Sequence, residues 1–438
     1  MYCGNCLRDN ALVRELRSLG HETLMVPLYL PITLDEADES KGTPTFFGGI
    51  SVYLEQHSAM FRRAPGWFHK MLRSPALLKW AAGRTAKTRP EQVADLTVSM
   101  LRGEEGNQVR ELNELVDWLS SQGRPDAVCL SNVLLIGMAR RLQAALKAPV
   151  FCTLQGEDAF LDALPAANRD RCYELITERA RELAGFVAPS RYFGDLMSRR
   201  LALEPSRVHV VHNGIDLDGY SGSADTKSGG SPAIGAFARM CPEKGLDVVI
   251  EAYRILCQRN RVSNVRLRIG GSCGPADEPF VAKQKTRLQE AGLLSEVDFC
   301  PNLSRAEKIQ FLQSLTVFSV PARSGEAFGL YVIEAWAAGV PVVQPRTAAF
   351  PELLESTGAG LLFTPENPQD LAEKWEELLL DRERAKEMGK RGRKAAENTF
   401  NTRAMAEGML KVFMAPAPSA TRPPVADLTQ FPSRPARV

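Results

Sequence analysis

The stretch of sequence that decides the fold is residues 317–345, VFSVPARSGEAFGLYVIEAWAAGVPVVQP. It begins with a short apolar run and a glycine-containing loop, and then carries an apolar segment that ends at Gly339 before a second β-branched run. Short apolar runs of this kind predict buried strands, and a glycine directly after an apolar segment is typical of a helix end. The stretch therefore predicts a strand, a loop, a helix and the next parallel strand.

Two carboxylates, Glu326 and Glu334, lie eight residues apart around the predicted strand-to-helix turn. If the helix begins near Phe328, Glu326 lies at its N-terminal mouth and Glu334 lies about two turns inside it. A carboxylate can accept two hydrogen bonds from ribose hydroxyls, and the free N–H groups of Phe328, Gly329 and Leu330 can bind a phosphate. The alternative is that neither residue binds a ligand: Glu326 is then a charge at the start of the helix, and Glu334 is a solvated helix residue.

The surrounding residues favour the first interpretation. The segment SGEAFGLYVIEAWAAGVPVV, residues 324–343, resembles without a gap the E-x7-E motif of the retaining glycosyltransferases of family 4. These enzymes have the GT-B fold, so the resemblance implies an α/β protein with two Rossmann-like, doubly wound parallel-sheet domains that face each other across a cleft. It also implies that the second domain holds the donor and the first domain holds the acceptor.

The composition limits the class of protein. The 438 residues, 44% of them hydrophobic, are enough for two domains with their own cores. The formal net charge of +2 gives no overall field that would favour nucleic acid. Nine scattered cysteines suit a reducing compartment, and no stretch has the pattern of a signal peptide or of a membrane span. We therefore expect a cytoplasmic protein.

The first predicted helix covers residues 5–19, and a strand-like segment covers 23–30. A helix that feeds a parallel strand should itself follow a strand. The same residues are similar to the first helix and second strand of family 4 enzymes, in which an opening strand and a Gly-Gly turn come earlier. Our hypothesis is that the recorded start lies downstream of the real one, and that Gly4 belongs to the donor-binding loop after the missing strand.

Residues 34–102 lose the alternation of strands and helices, and residues 56–90 contain no Asp or Glu. Basic residues interleave there with aromatic ones over 61–89. One interpretation is a helix on the anionic inner face of a membrane, and another is a cleft for an anionic or lipid-linked acceptor. The favoured alternative is a cationic lid whose aromatic side chains pack inward.

Alternation resumes with helices over 108–122 and 133–147 and strands over 127–130 and 149–154. The loop after the last of these strands lies at the carboxyl edge, where open α/β sheets bind ligands. Family 4 enzymes usually have Thr-x-His-Gly-x-Asp here. This chain has Gln155 in place of the histidine, and glutamine cannot titrate. Asp158 matches the pattern, so we assign both residues to the acceptor side.

Arg239 and Lys244 come between a predicted strand, 233–237, and a predicted helix, 246–258. Two cations beside a helix N-terminus can bind a diphosphate, although Arg-x4-Lys alone is more often a solvated loop. In this setting the residues resemble the family motif Gly-Arg-Leu-x-x-x-Lys-Gly. The next strand, 266–271, ends at the turn residue Gly271, which we also assign to the donor site.

The resemblance implies transfer of a hexose from a nucleotide sugar to an acceptor hydroxyl with retention of configuration, in glycan, glycolipid or polysaccharide synthesis. Arg239, Lys244 and the helix start would stabilise the leaving nucleoside diphosphate. Glu326 would orient the sugar hydroxyls and Glu334 the ribose. The donor is a UDP-, GDP- or ADP-linked sugar, and no cofactor or dedicated metal is implied.

Three features leave alternatives open. Asp216 and Asp218 have a spacing that holds divalent metals in other glycosyltransferases, but their place in the interdomain passage favours a turn. Gln155 and the altered segment 345–352, in which only Glu352 of the customary Gly-Gly-x-x-Glu is retained, motivate a degenerate binding or scaffold protein. A sugar-nucleotide epimerase shares the GT-B architecture, but the E-x7-E arrangement argues against it.

The predicted organisation has five parts. An N-terminal domain covers 1–210 and an interdomain passage covers 211–232, with a Gly/Ser-rich hinge at 225–232. The nucleotide-sugar domain covers 233–398. A helix over 399–414 returns to the first domain, and a proline-rich tail covers 415–438 and is expected to be disordered.

Overall fold

The structure is a computed structural model that describes residues 4–28, 37–47, 52, 56, 90–220, 231–323 and 325–415. The basic and aromatic segment predicted over 61–89, most of the predicted hinge and the tail beyond residue 415 lie outside the described residues. Within the described part of the chain, no helix combines the length and hydropathy of a membrane span.

The first half of the chain folds around a four-stranded parallel sheet in the order β1-β2-β3-β4. The strands are short, and β2 and β3 are buried throughout, as expected when helices cover a parallel sheet. The elements are α1 (Gly4–Ser18), α2 (Pro90–Leu101), α3 (Val109–Ser121), β1 (Val128–Leu130), α4 (Ala139–Leu146), β2 (Val150–Thr153), α5 (Asp158–Asp162), α6 (Ala166–Ala180), β3 (Gly185–Ala188), α7 (Arg191–Leu201) and β4 (Val208–Val210).

Two predicted elements of this half differ in the structure. The helix predicted over 133–147 begins as a 3-10 helix, Val133–Met138. This segment packs tightly on α2, since a Cβ on Gly137 would come within 2.2 Å of the Met100 carbonyl oxygen. The strand predicted over 23–30 is reduced, in its described part, to one bridge between Leu28 and Phe46. An extended segment forms a strand only where a neighbouring strand pairs with it.

The second half has a six-stranded parallel sheet in the order β10-β9-β8-β5-β6-β7, the doubly wound order of a Rossmann fold. Its elements are β5 (Ala233–Phe237), α8 (Leu246–Arg259), β6 (Arg266–Gly271), α9 (Glu278–Glu290), β7 (Val297–Pro301), α10 (Arg305–Gln313), β8 (Val317–Phe318), α11 (Leu330–Ala337), β9 (Val342–Pro345), α12 (Phe350–Thr357), β10 (Gly360–Phe363), α13 (Pro368–Leu380) and α14 (Arg382–Asn398).

The strand order of the second sheet fixes where a ligand can bind. The chain leaves β5 toward β6 and leaves β8 toward β9, which are on opposite sides. A crevice therefore opens between the loops that follow β5 and β8. These loops carry Arg239 and Lys244 on one side and Glu326 on the other.

The last helix, α15 (Thr402–Met414), packs on the first half of the chain. Met405 and Met409 join Leu12 and Leu16 of α1 in one buried apolar cluster. The same cluster includes residues from strands β2 and β3, so α15 holds α1 against the first sheet.

We predict that Met409→Ala destabilises the protein, because Met409 is fully buried between α15 and α1. Replacing a buried methionine by alanine usually costs about 2–5 kcal/mol. Urea unfolding followed by tryptophan fluorescence measures the effect. Met414→Ala on the same helix is the control, since Met414 is 78% exposed and should leave the urea midpoint unchanged. Equal midpoints for both variants would contradict the packing described here.

Candidate active site

A cleft of about 690 Å³ lies between the two halves of the chain and receives residues from both. Its volume is in the range of small-molecule sites. The structure brings every predicted site residue to its wall: Gly4, Gln155, Asp158, Arg239, Lys244, Gly271, Glu326, Phe328, Gly329, Leu330 and Glu334.

The helix behind Glu326 begins two residues later than the sequence predicts. Gly329 caps α11 with a φ of +92°, and Leu330 is the first helical residue. The positive φ of Gly329 breaks the helical path, so Phe328 and Gly329 belong to the loop. Across the cleft, a Cβ on Gly4 would lie 3.7 Å from Leu330 Cδ1. The N-termini of α1 and α11 therefore face the same space, and both helix dipoles make it favourable for an anion.

Glu326 is held by two side chains in this cleft. Lys244 Nζ lies 2.5 Å from Glu326 Oε1, and the Tyr331 hydroxyl donates to the same oxygen at 3.2 Å. Burial, reinforced by the Glu326 carboxylate, raises the pKa of Tyr331 well above its usual value, so this hydroxyl stays a donor. No sequence pattern points to Tyr331, because a tyrosine inside an apolar helix is usually a packing residue.

Lys244 reaches the cleft because the backbone turns sharply behind it. Residues Pro242–Lys244 form one 3-10 turn, and Gly245 follows with a φ of +71°. A Cβ on Gly245 would come within 2.2 Å of the Pro321 carbonyl oxygen, so only glycine fits. The turn brings the loop after β5 against the loop after β8, and this contact puts Lys244 beside Glu326.

Arg239 pairs with Asp277: Nη2 lies 2.8 Å from Oδ1, and Nε donates to both carboxylate oxygens at 3.0 and 3.2 Å. The pairing raises the pKa of Arg239 and lowers the pKa of Asp277. Gly274 N donates to the same carboxylate at 3.1 Å, which fixes its orientation. Half of the Arg239 side chain remains exposed at the cleft, so the guanidinium can still contact a ligand.

Glu334 pairs with Lys308, whose Nζ lies 2.6 Å from Glu334 Oε1. Lys308 comes from α10 and also lines the cleft. Lys308 could not be predicted from the sequence, because it lies 26 residues from Glu334 and meets it only when α10 packs on α11. Lys308 leaves the second oxygen of Glu334 available to a ligand hydroxyl.

The acceptor-side residues meet at the first-domain wall. Asn213 donates to Gln155 Oε1 at 3.4 Å, and the buried Asn213 Oδ1 has no hydrogen-bond partner among the described residues. The loop itself is fixed by buried Glu157, which accepts from the N–H groups of Gln155 and Val133 at 2.7 and 2.9 Å. Burial raises the pKa of Asp158, which also lines the cleft.

The Asp216 and Asp218 pair forms a turn. Asp216 Oδ1 accepts from Asp218 N at 2.9 Å, and Asp216 Oδ2 pairs with Arg14 at 2.8 Å. Both oxygens of Asp216 therefore already have protein partners. In the part of the chain that the structure describes, no group of three or more His, Cys, Asp or Glu side chains is arranged to hold a metal ion.

Two family models match the chain in adjoining segments. Residues 47–218 match the model described as Glycosyltransferase Family 4, and residues 224–395 match the model described as Glycosyl transferases group 1. The chain belongs to glycosyltransferase family 4. The two matches include residues from both walls of the cleft of this family 4 glycosyltransferase.

The family 4 chain is similar to characterised and solved proteins. It is 27% identical over 319 residues to D-inositol 3-phosphate glycosyltransferase of Corynebacterium glutamicum, covering 70% of this chain and 73% of that protein. It is 29% identical over 171 residues to a GDP-mannose-dependent alpha-(1-6)-phosphatidylinositol monomannoside mannosyltransferase of Mycobacterium tuberculosis, covering 38% and 43% of the two chains. The structure of Anabaena HepE in complex with UDP matches with a TM-score of 0.61 at 18% identity, covering 88% and 99%. The structural match shows the GT-B fold.

We predict that Gly271→Ala destabilises this glycosyltransferase. Gly271 has a φ of +124°, and a Cβ there would lie 1.8 Å from the Ala238 carbonyl oxygen, so the turn after β6 must shift. Strain of this kind costs about 1–3 kcal/mol, and the clash adds to it. Gly274→Ala in the same loop is the control, because its nearest atom would be 3.8 Å away. Thermal unfolding should separate the two variants, and equal melting temperatures would refute the prediction.

We predict that lowering the pH destabilises the wild-type protein more than it destabilises the His212→Phe variant. His212 is partly buried, stacks with Phe328 and meets Phe400 edge-on. Burial lowers the pKa of His212, Arg191 lowers it further and Glu352 opposes the shift. The unfolded chain therefore binds the proton first, and stability is lost as the pH falls through about 6.5.

Phenylalanine at position 212 keeps the aromatic contacts but cannot titrate. Urea unfolding of both proteins at about pH 7.5 and about pH 5.5 measures the difference, since His titrates in this interval. An identical loss of stability in the two proteins would show that His212 makes no contribution.

Proposed function

We propose that this glycosyltransferase transfers a hexose from a nucleotide sugar to an acceptor hydroxyl with retention of configuration. The observation that carries the proposal is the Lys244–Glu326 ion pair, which lies where the N-termini of α1 and α11 face one cleft. A cation and two helix N-termini suit the diphosphate of a leaving group, and a carboxylate beside them suits the hydroxyls of the attached sugar.

The proposed donor site combines four side chains of the second half of the chain. Lys244 and Arg239 contact the diphosphate, Glu326 orients the sugar hydroxyls and Glu334 accepts from the ribose hydroxyls. Each of these groups has a protein partner of opposite charge. Such pairs keep the charged side chains in place in a partly buried cleft until a ligand replaces the partner.

In the proposed reaction the bond between the sugar C1 and the phosphate oxygen breaks, and its electron pair stays on that oxygen. The acceptor oxygen forms the new bond to C1 on the same face of the sugar, and its proton passes to the leaving phosphate. No protein base is needed for this step, so Gln155 in place of a histidine is compatible with it. The residues assigned here act through charge stabilisation and orientation.

We propose an anionic polyol or a lipid-linked form of it as the acceptor, and a cytoplasmic site of action without a dedicated metal. The acceptor class is supported by the names of two relatives, a D-inositol 3-phosphate glycosyltransferase and a phosphatidylinositol monomannoside mannosyltransferase. The relatives differ in donor, since one is GDP-mannose-dependent and the HepE structure contains UDP. The experiment that follows therefore compares UDP, GDP and ADP to identify the nucleobase of the donor.

We predict that one nucleoside diphosphate stabilises the protein and that Lys244→Ala abolishes the effect. A ligand at a hundred times its dissociation constant adds about 2.7 kcal/mol to the free energy of unfolding. A thermal-shift panel of UDP, GDP and ADP with their sugar conjugates measures this. Loss of a preorganised charge partner should also lower the transfer rate by about 10²-fold or more.

Lys374→Ala is the matched control for this experiment. Its side chain is 34% exposed and pairs with Glu377, whereas the Lys244 side chain is 33% exposed and pairs with Glu326. The two variants remove the same charge at similar exposure, but only Lys244 lines the cleft. A panel without any shift, or a shift that survives in Lys244→Ala, would refute the proposed donor site.

A further inference from the structure

The start of helix α7 is bound by residues from the other half of the chain. The Glu352 carboxylate of α12 accepts from Arg191 N at 3.0 Å and from Tyr192 N at 2.9 Å. Ser190, the N-cap of α7, donates from its hydroxyl to the Ala327 carbonyl oxygen at 2.6 Å. The same hydroxyl accepts from Phe193 N at 3.1 Å. We call Ser190 and Glu352 with these hydrogen bonds the interdomain clamp.

The clamp completes the cap of α7 only when the two halves of the chain are together. The first N–H groups of a helix have no partner within the helix, and a carboxylate beside them is further favoured by the helix dipole. Ser190 satisfies one of these groups from within the first half, but Arg191 and Tyr192 depend on Glu352. Withdrawal of the second half would return both N–H groups to water.

The clamp acts on the loop that carries Glu326. Ala327, whose carbonyl oxygen Ser190 binds, is the neighbour of Glu326, and its side chain packs against the core of the first half. The loop is also tied to the start of α12, because Ala349 N donates to the Glu326 carbonyl oxygen at 3.3 Å. The first half therefore contacts the Glu326 loop directly through Ser190, and indirectly through Glu352 and α12.

Glu352 has no place in the donor site itself. The residues that line the cleft include Ala348 but not Glu352, whose two oxygens are both occupied by α7. The proposed donor-binding side chains, in contrast, all belong to the second half of the chain, and the first half adds only the N-terminus of α1. A mutation of the clamp should therefore affect closure of the two halves more than it affects nucleotide binding.

We propose that Ser190 and Glu352 are positioning residues for glycosyl transfer. The clamp holds the Glu326 loop at the acceptor-side wall, so that the donor sugar meets the acceptor only in the closed arrangement of the two halves. This inference rests on the proposed donor site at Glu326. Loss of the clamp should leave the nucleotide bound but misplace the sugar, and a displacement of about 1 Å can cost about 10²-fold in rate.

The test uses Glu352→Ala, Glu352→Gln, Ser190→Ala and the double variant Ser190→Ala/Glu352→Ala in the full chain. The control for Glu352 is Glu355→Ala on the same helix, since Glu355 is exposed and pairs with Arg346. The control for Ser190 is Ser198→Ala in α7, whose hydroxyl donates to Gly194 O within the helix. Neither control residue contacts the other half of the chain through these groups.

Three measurements are made on each variant. Calorimetry with the nucleoside diphosphate that stabilises the wild-type protein gives the dissociation constant. Hydrolysis of the matching nucleotide sugar, with the acceptor hydroxyl replaced by water, gives kcat. Amide hydrogen exchange reports protection of Arg191 and Tyr192, the groups that Glu352 binds.

We expect Glu352→Ala to lower kcat about 10- to 100-fold, with a change in the nucleotide dissociation constant of less than about threefold. Exchange at Arg191 and Tyr192 should become faster, and both controls should match the wild type. The double variant should be no slower than the slower single variant, because both residues act in one clamp. Glu352→Gln should restore part of kcat, since an amide oxygen can still accept from one N–H.

The positioning role is wrong if exchange accelerates in Glu352→Ala while kcat stays at the wild-type level. It is also wrong if kcat, nucleotide affinity and melting temperature fall in parallel, which is the signature of a purely structural contact. Unchanged exchange at Arg191 and Tyr192 would refute the clamp itself. Failure of the wild-type protein to bind any nucleotide would instead refute the proposed donor site, so the two failures are distinct.

Discussion

The adjacency of β5 and β8 in the second sheet is the constraint on which the candidate site depends. Thr316 N donates to Ala233 O at 2.7 Å and Ser319 N donates to Gly235 O at 2.9 Å, so these bonds align the two strands. The chain leaves the two strands in opposite directions, and the loops after them must meet at one edge. Lys244 and Glu326 are 82 residues apart in sequence and come into contact for this reason.

The charges of the site are balanced by ion pairs between protein side chains. Arg239 with Asp277, Lys244 with Glu326 and Lys308 with Glu334 are all cation–carboxylate pairs at or near the cleft. A partly buried charge without a partner would be costly, so the pairs allow a site with high charge density to exist before a ligand binds. A diphosphate and a set of hydroxyls can then replace the partners with little rearrangement, which is the property expected of a preorganised transferase site.

The two halves of the chain are joined at several points besides the cleft. Helix α15 returns to α1, Arg14 pairs with Asp216 of the passage between the halves, and the start of α7 is capped by Glu352. These contacts differ in chemistry. The α15 contact is apolar and buried, whereas the contacts near the cleft are hydrogen bonds and ion pairs, which can be exchanged for water at a lower cost. The arrangement suits a protein whose halves stay attached while the cleft opens and closes.

The sequence by itself determined the family, the two parallel-sheet halves and the strand–loop–helix unit that carries Glu326 and Glu334. Gapless motifs were sufficient because each required residue lies within one short segment, where glycines fix the local backbone. Elements whose form depends on distant partners were predicted less well. The segment 133–147 begins as a 3-10 helix where Gly137 packs against α2, and α11 begins at Leu330 because Gly329 turns the chain.

Only the tertiary structure decided which side chains of the site meet. Lys308 reaches Glu334 across a helix pair, Tyr331 turns its hydroxyl toward Glu326, and Glu352 binds backbone groups of the other half. None of these contacts leaves a pattern in the sequence, because each contact joins common residue types that lie on different packed elements. A sequence motif predicts which residues a loop contains. The hydrogen-bond and ion-pair partners of those residues depend on how helices and sheets pack against one another.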